Sequence, residues 1–241
     1  MGLRLQPGLR TALAALAVLS VALRGAAADQ GPPKVTFKLP EVRPTTALIG
    51  KFGYPAEGHY VETDDGYVLR LDRVARPGAD VVLLGNPLTC NSACYCMLER
   101  ESLAFKMFDA GFDVWLGNFR GNGLSKNHTR FSVNDGRFWD FSWHEHGTLD
   151  VPAMVDYIVS ATGRETLLYA GHSMGSTALL VTAALRPRTA TRIRAAFLMG
   201  PAAYMGNHDT PSLYAAHALL QETEVGRARR PRAPAVPAPV K

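Results

Sequence analysis

The chain has 241 residues, of which 47% are hydrophobic and 20% are charged. That length is enough for one domain with a sizeable core and too short for two, and the composition is that of an ordinary globular protein. The net charge of +5 comes from the chain ends, because removal of residues 1–28 and 226–241 leaves a net charge of −3. No basic face therefore indicates nucleic-acid binding.

The first 28 residues have the pattern of a targeting segment. Arg4 and Arg10 precede an apolar run over residues 11–23 that is too short to span a bilayer, and small residues follow at 25–28. This pattern predicts a secretory signal peptide that is cleaved after Ala28. A short buried helix or a membrane anchor is the alternative. We expect a secreted chain, or alternatively a lysosomal one, with a folded domain over 29–225 and no transmembrane segment after cleavage.

The folded part is predicted to open with a hairpin. Two short strands, at 59–62 and 67–71, flank Asp64-Asp65-Gly66, whose Asp-Gly pair is a strong turn signal. Residues 102–110 then carry apolar side chains at helical spacing, and Gly111 stands where a helix C-cap is expected.

Strands and helices alternate through the rest of the domain. This alternation predicts a mostly parallel sheet with helices on both faces, an α/β class of fold. The further elements are predicted as strands at 81–84, 112–116, 167–170 and 195–199, and helices at 144–160 and 177–185.

The three cysteines and one asparagine are candidates for covalent modification, by disulfide formation and by N-glycosylation. Cys90, Cys94 and Cys96 lack a second ligand cluster for structural zinc, so one local disulfide and one free thiol are expected, and no metal. Asn127, followed by His128 and Thr129, is an N-glycosylation sequon in a chain with a predicted signal peptide.

The most specific chemical motif is Gly171-His172-Ser173-Met174-Gly175, which has the form G-x-S-x-G. The pattern alone is weak, and a serine in an ordinary glycine-rich turn is the alternative. Its context is specific, because a predicted strand leads into it and a predicted helix leads out, as a nucleophile elbow requires. Gly171 and Gly175 are small enough to let the strand and the helix approach each other. Ser173, at the turn between them, is the candidate nucleophile.

Several further runs, in the same order along the chain, resemble the acid lipase family, which includes gastric and lysosomal acid lipases. The resemblance extends from about residue 41 to about residue 220, with a lipase-associated region at about 41–100. It is carried, besides the elbow, by residues 53–57, 61–67, 110–118, 120–122, 138–145 and 150–158.

The resemblance implies an α/β-hydrolase fold and a serine lipase that needs no cofactor and no metal. Ser173 would attack esters of neutral lipids, triacylglycerols or cholesteryl esters, at a lipid–water interface and form an acyl-enzyme. The oxyanion donors would be the backbone N–H groups of Met174 and Leu88. The family carries His-Gly-Leu where this chain has Asn86-Pro87-Leu88, and Pro87 restricts the loop that has to place Leu88.

A second departure concerns the other triad members, which follow the serine in this fold as Asp/Glu and then His. The only aspartate after Ser173 is Asp209, and it lies too close to His217 and too early in the chain. We therefore expect an incomplete hydrolase domain that lacks the triad acid and base. From residue 226 the chain is rich in proline and arginine and is predicted to be disordered.

Three hypotheses follow: a serine lipase, a catalytically inactive lipase-like lipid-binding protein, and a partial gene product. An incomplete sheet would also expose apolar strand faces and lower the solubility of the chain. The run His144-Glu145-His146 is interpreted as a helix N-terminus and not a metal cluster, and Trp115 and Trp143 are interpreted as core or near-core packing.

Overall fold

The computed structural model describes residues 43–204. The predicted signal peptide over 1–28 and the proline- and arginine-rich segment over 226–241 lie outside the described residues, as do Asp209 and His217.

A seven-stranded mixed sheet forms the centre of the described part of the chain. Its main path has the order β1-β2-β4-β3-β6-β7, and the short β5 pairs with β2. Strands β4, β3, β6 and β7 are mutually parallel, whereas β1, β2 and β5 join by antiparallel pairing. The strands are β1 Ala56–Glu62, β2 Tyr67–Val74, β3 Val81–Gly85, β4 Asp113–Gly117, β5 Asn127–His128, β6 Leu167–His172 and β7 Ile193–Met199.

Helices cover both faces of this sheet. One core contains α4 and α5 side chains together with Leu83 and Trp115, and the other contains α1 and α2 side chains together with Val82 and Leu84. Because β3 is buried on both faces, its sequence is a continuous apolar run and does not alternate. The helices are α1 Thr45–Lys51, α2 Leu103–Asp109, α3 Trp143–Glu145, α4 Val151–Thr162, α5 Met174–Leu185 and α6 Pro187–Ala190.

The predicted α/β class and the hairpin are confirmed. Gly66 has a φ of 99°, and the Asp-Gly turn joins β1 to β2 as expected. Gly163 has positive φ directly after α4, and Gly111 has positive φ after Ala110, the C-cap of α2. The antiparallel strands at the N-terminal side make the sheet mixed, so its parallel part begins only at β3.

Two helix predictions needed correction at their starts. The helix predicted at 144–160 is a short α-helix followed by a π-helical turn at His146–Asp150 and then α4. The helix predicted at 177–185 begins three residues earlier, at Met174, directly after the candidate nucleophile. Among residues 43–204, no helix has the length and apolar character needed to cross a membrane.

Candidate active site

Ser173 occupies the turn between β6 and α5. Its backbone has φ 50° and ψ −114°, a conformation that is costly for a residue with a side chain. Its N–H donates to the Met199 carbonyl at the end of β7 (2.8 Å), and its carbonyl accepts the first bond of α5 from the Thr177 N–H (3.0 Å). The strand–turn–helix placement predicted for the elbow is therefore present in the structure.

The two motif glycines are required by close backbone approach. A Cβ on Gly171 would lie 2.6 Å from the backbone nitrogen of Ser176, and a Cβ on Gly175 would collide with the Gly85 carbonyl oxygen. Gly171 also pairs with Gly85 across β6 and β3. Any larger residue at these positions would push α5 away from the ends of the strands.

A cavity of about 940 Å³ opens beside Ser173, and its wall is predominantly apolar. Such a volume lies in the range of sites for small molecules. No acidic, lysine or arginine side chain is among the described wall residues, and its polar groups belong to two serines, a threonine, two histidines, a tryptophan and a tyrosine. The wall consists of Leu88, Phe141, Ser142, Trp143, His144, His146, Ser173, Met174, Thr177, Leu180, Val181, Ala184, Leu185, Ala202, Ala203 and Tyr204.

The loop after β3 brings Leu88 to the wall of the same cavity as Ser173 and Met174. Its start is held by Asn86, which is fully buried and donates through Nδ2 to the carbonyls of Pro87 (3.0 Å) and Cys90 (2.7 Å). The Leu88 side chain is 65% exposed, so the loop presents it at the mouth of the cavity. Leu88 therefore shares the cavity wall with two elbow residues, although Pro87 restricts the loop that carries it.

A general base is the component that the described residues do not supply. Within residues 43–204, the Ser173 hydroxyl forms no hydrogen bond, and no histidine ring is bonded to it. His172, the variable residue of the elbow, is exposed and is not a wall residue of the cavity. His144 and His146 do line the cavity, and they begin the helical segment as predicted, with a capping box between Ser142 and Glu145.

One of the two tryptophan predictions was wrong. Trp115 is fully buried, as expected, whereas Trp143 is 59% exposed and lines the cavity. Trp143 is the first residue of α3, where its side chain projects over the cavity and not onto the sheet. Hydrophobic periodicity cannot separate these cases, because a core and an apolar cavity select the same residue types.

The structure also describes the residues for which a disulfide and N-glycosylation were predicted. Cys90 and Cys94 form a disulfide, and Cys96 is a free thiol whose pKa burial raises to about 12, as the prediction of one local bridge required. Asn127 lies on β5 and is exposed. Its glycosylation stays a prediction.

Two tyrosines beneath the elbow were missed by motif reasoning. The Tyr169 hydroxyl donates to the Gly175 carbonyl (2.8 Å), and the Tyr95 hydroxyl donates to the Gly85 carbonyl (2.7 Å). Both hydroxyls thereby fix the two backbone segments that meet under Ser173. The only sequence signal was a tyrosine within an otherwise aliphatic strand, since a buried tyrosine usually needs a hydrogen-bond partner.

Family models match most of this fold. Residues 85–234 match the model described as alpha/beta hydrolase fold, and residues 45–99 match the one described as partial alpha/beta-hydrolase lipase region. The chain belongs to the α/β-hydrolase fold family, and its resemblance to the acid lipases is confirmed.

Individual relatives carry lipase names. Lipase 1 of Drosophila melanogaster is 43% identical over 158 residues, which cover 65% of this chain and 36% of that protein. Human lysosomal acid lipase/cholesteryl ester hydrolase is 38% identical over 180 residues, 70% of this chain and 45% of that protein. The chain therefore spans less than half the length of these curated relatives.

Solved structures agree on the fold. The Pyrococcus furiosus esterase Pf2001 aligns with a TM-score of 0.51 and 13% identity, covering 73% of this chain and 62% of that one. At this level of identity the likeness concerns the fold alone.

Proposed function

We propose that the chain is a serine lipase that hydrolyses carboxylic esters of neutral lipids through an acyl-enzyme on Ser173. The observation that carries this proposal is the strained serine between β6 and α5, which lies in the wall of an apolar cavity. An apolar cavity suits an acyl chain, and a nucleophile elbow holds its serine clear of the strand ends.

In this proposal the backbone N–H groups of Met174 and Leu88 stabilise the oxyanion of the tetrahedral intermediate. Met174 is the first residue of α5, whose N-terminal N–H groups have no partners within the helix. Leu88 shares the cavity wall with both Met174 and Ser173. Fixed donors of this kind are commonly the largest single contribution to ester hydrolysis.

The substrate class and the location are also proposed by similarity. One human relative is named for both lipase and cholesteryl ester hydrolase activity, so triacylglycerols and cholesteryl esters at a lipid–water interface are the substrates to test. The predicted signal peptide favours secretion, and the same relative favours the lysosome as the alternative. Asn127 would carry a glycan in either location.

A second candidate function is lipid binding without chemistry. It is favoured by the Ser173 hydroxyl, which has no hydrogen-bond partner among residues 43–204, since a serine without a base is a poor nucleophile. In this case the cavity would hold a neutral lipid, and the elbow would only shape its wall.

Labelling with a fluorophosphonate probe, together with turnover of a short-chain nitrophenyl ester, separates the two candidates. For a hydrolase, Ser173→Ala abolishes labelling and turnover, and Ser160→Ala, which changes an exposed serine on α4, leaves both unchanged. A chain that never labels, and binds lipid equally well with and without Ser173, would establish the binding protein instead.

The oxyanion assignment has its own test. Leu88→Pro removes the backbone N–H that Leu88→Ala retains, so only the proline variant should slow labelling, by about 100-fold or more. Equal rates for the two variants would remove Leu88 from the site.

A further inference from the structure

The loop after β3 is anchored by burial at both of its ends. At the first end, the fully buried Asn86 bonds to the loop backbone. At the second end lies a short 3₁₀ helix, Ser92–Tyr95, whose first residue is also fully buried. The backbone N–H of that serine donates to Asn118 Oδ1 (2.8 Å), and its hydroxyl donates to Asp72 Oδ2 (2.6 Å). Because Asn118 and Asp72 are buried in the sheet, the 3₁₀ helix is fixed to the core.

Between these anchors the loop has little packing. Leu88 and Thr89 are exposed, and they form the centre of a four-residue turn that the Cys90 N–H closes on the Pro87 carbonyl (3.4 Å). Thr89 has a φ of 62°, a value that glycine usually supplies at this position of a turn and that is unfavourable for a β-branched residue. Such a conformation persists only where the surrounding structure enforces it.

The Cys90–Cys94 disulfide is a covalent constraint directly beside this turn. It joins the last residue of the turn to the anchored 3₁₀ helix, with a Cα–Cα distance of 6.4 Å. The Cys90 carbonyl also accepts a hydrogen bond from the Asn86 amide (2.7 Å). Since the exposed side chains of the turn cannot hold it by burial, its end is tied to the buried part of the protein by the disulfide and by Asn86.

The turn leaves the Leu88 N–H available as a donor. The bond that closes the turn uses the Cys90 N–H, and among residues 43–204 the Leu88 N–H has no acceptor. Leu88 and Ser173 line the same cavity. A donor stabilises an oxyanion effectively only when it is held in place before the reaction. The segment that has to hold this donor is the turn that ends at the disulfide.

We propose that the Cys90–Cys94 disulfide is a positioning element for the backbone N–H of Leu88, so that the rate of acylation at Ser173 depends on this bond. The inference rests on the proposed function, which makes that N–H an oxyanion donor. Neither cysteine lines the cavity, so the disulfide acts only by fixing the backbone of the turn. Pro87 fixes a φ angle at the start of the same turn, which is therefore restrained on both sides of the donor.

The test compares labelling rates of the full chain with and without the disulfide. In Cys90→Ser/Cys94→Ser, the second-order rate of labelling by the fluorophosphonate should fall about tenfold or more, because a displacement of about 1 Å at an active site has effects of this order. Cys96→Ala removes the buried free thiol and some core packing, and it should leave the labelling rate unchanged. This control shows whether a loss of stability by itself slows labelling.

A second background separates positioning from stability. In Leu88→Pro, which lacks the donor, removal of the disulfide should cause no further slowing, because no donor is left to position. A disulfide that only stabilises the fold would slow labelling by the same factor in both backgrounds. That result, or no slowing in the Leu88 background, would overturn the inference.

Reduction of the folded wild-type chain covers the case in which the double serine variant fails to fold. Cys90 and Cys94 are both partly exposed, so a water-soluble phosphine can reach their bond, whereas Cys96 is buried. Labelling should slow by about tenfold or more while the circular dichroism spectrum is retained. An unchanged rate, with reduction verified by mass spectrometry, would contradict the proposed role.

Failure of the proposed function gives a different result. Wild-type chain that labels equally fast with the disulfide intact and reduced keeps the lipase and loses the role of the disulfide. Wild-type chain that never labels loses both.

Discussion

Ser173 has a backbone conformation that few serines adopt, and its neighbours are the reason it persists. A positive φ at a residue with a Cβ costs roughly 1–3 kcal/mol and requires surrounding structure that enforces it. Here the bonds to Met199 and Thr177 and the close approach of Gly85 to Gly175 enforce it. The motif glycines thus allow close packing of backbone segments, while Ser173 has the unfavourable backbone conformation.

Replacement of Gly175 tests this packing. In Gly175→Ala the new methyl would meet the carbonyl oxygens of Gly85 and Asn86, so stability should fall by about 1–3 kcal/mol and labelling at Ser173 should be lost. The matched control is Gly50→Ala in α1, where a Cβ has open space and stability should rise by about 0.5–1 kcal/mol. Urea unfolding measures both. An equal response of the two variants would show that the elbow is not tightly packed.

His146 should make the stability depend on pH. Its folded-state pKa of about 4 lies below the value of about 6.5 for an unfolded chain, so the unfolded chain takes up the proton first. The stability that this histidine contributes is complete above pH 6.5 and is lost as the pH falls towards 4. Between pH 7.5 and pH 5 the loss should be about 2 kcal/mol.

Burial raises the pKa of Asp150, which contributes with the opposite sign in this pH range, so the loss is measured as the difference between the wild type and His146→Phe in urea unfolding at the two pH values. His146→Phe should remove it, and His144→Phe should not. A wild-type pH dependence that is unchanged in His146→Phe would assign the effect to other groups.

At the scale of elements, one buried arginine joins three segments that are distant in sequence. Arg120, in the loop after β4, donates from Nε to Asp150 at the end of the π-helical turn (2.7 Å) and from Nη1 to Asp65 in the hairpin turn (2.6 Å). The side chains of Arg120 and Asp150 have no solvent exposure, and the guanidinium also packs on the Tyr67 ring. The arginine thereby fixes the turn that begins with His146 relative to the sheet.

Arg120→Met should cost about 3–5 kcal/mol, because it leaves the Asp150 carboxylate buried without its cation. The control is Arg192→Met, which removes an exposed ion pair with Asp156 and should cost no more than about 1 kcal/mol. Thermal or urea unfolding distinguishes the two. Similar losses would mean that the buried ion pair contributes no more than the exposed one.

At the scale of the whole molecule, β7 is the last strand of the sheet among residues 43–204, and it carries exposed apolar side chains. Phe197 is 64% exposed and Met199 is 38% exposed, and β7 pairs with β6 alone among the described strands. Exposed apolar side chains on an edge strand promote association between molecules. The low solubility expected from the sequence stays a prediction.

A charge on this strand should therefore reduce self-association. Phe197→Lys is expected to lower the apparent mass in size-exclusion chromatography with light scattering, without loss of thermal stability. Val133→Lys, at an exposed position outside the sheet, serves as the control for the added charge. Equal effects of the two lysines would attribute association to net charge and not to β7.

Sequence reasoning located most elements and was weaker at their boundaries. It placed the hairpin and the parallel strands, because turn residues and continuous apolar runs are local signals. It started α5 three residues late, because Met174 and Gly175 carry no helical periodicity of their own. It also predicted Trp143 to be buried, because a protein core and the wall of an apolar cavity select the same residue types.

The amino-acid sequence by itself determined the α/β class, the elbow at Ser173 and the local disulfide, because each depends on residues that are neighbours in the chain. Only the tertiary structure decided that Leu88 shares a cavity with Ser173, that Arg120 links Asp65 to Asp150, and that the His146 ring is buried against Phe119 and Phe141. These features arise where segments distant in sequence meet, and burial, which sets their energies, is a property of the packed chain.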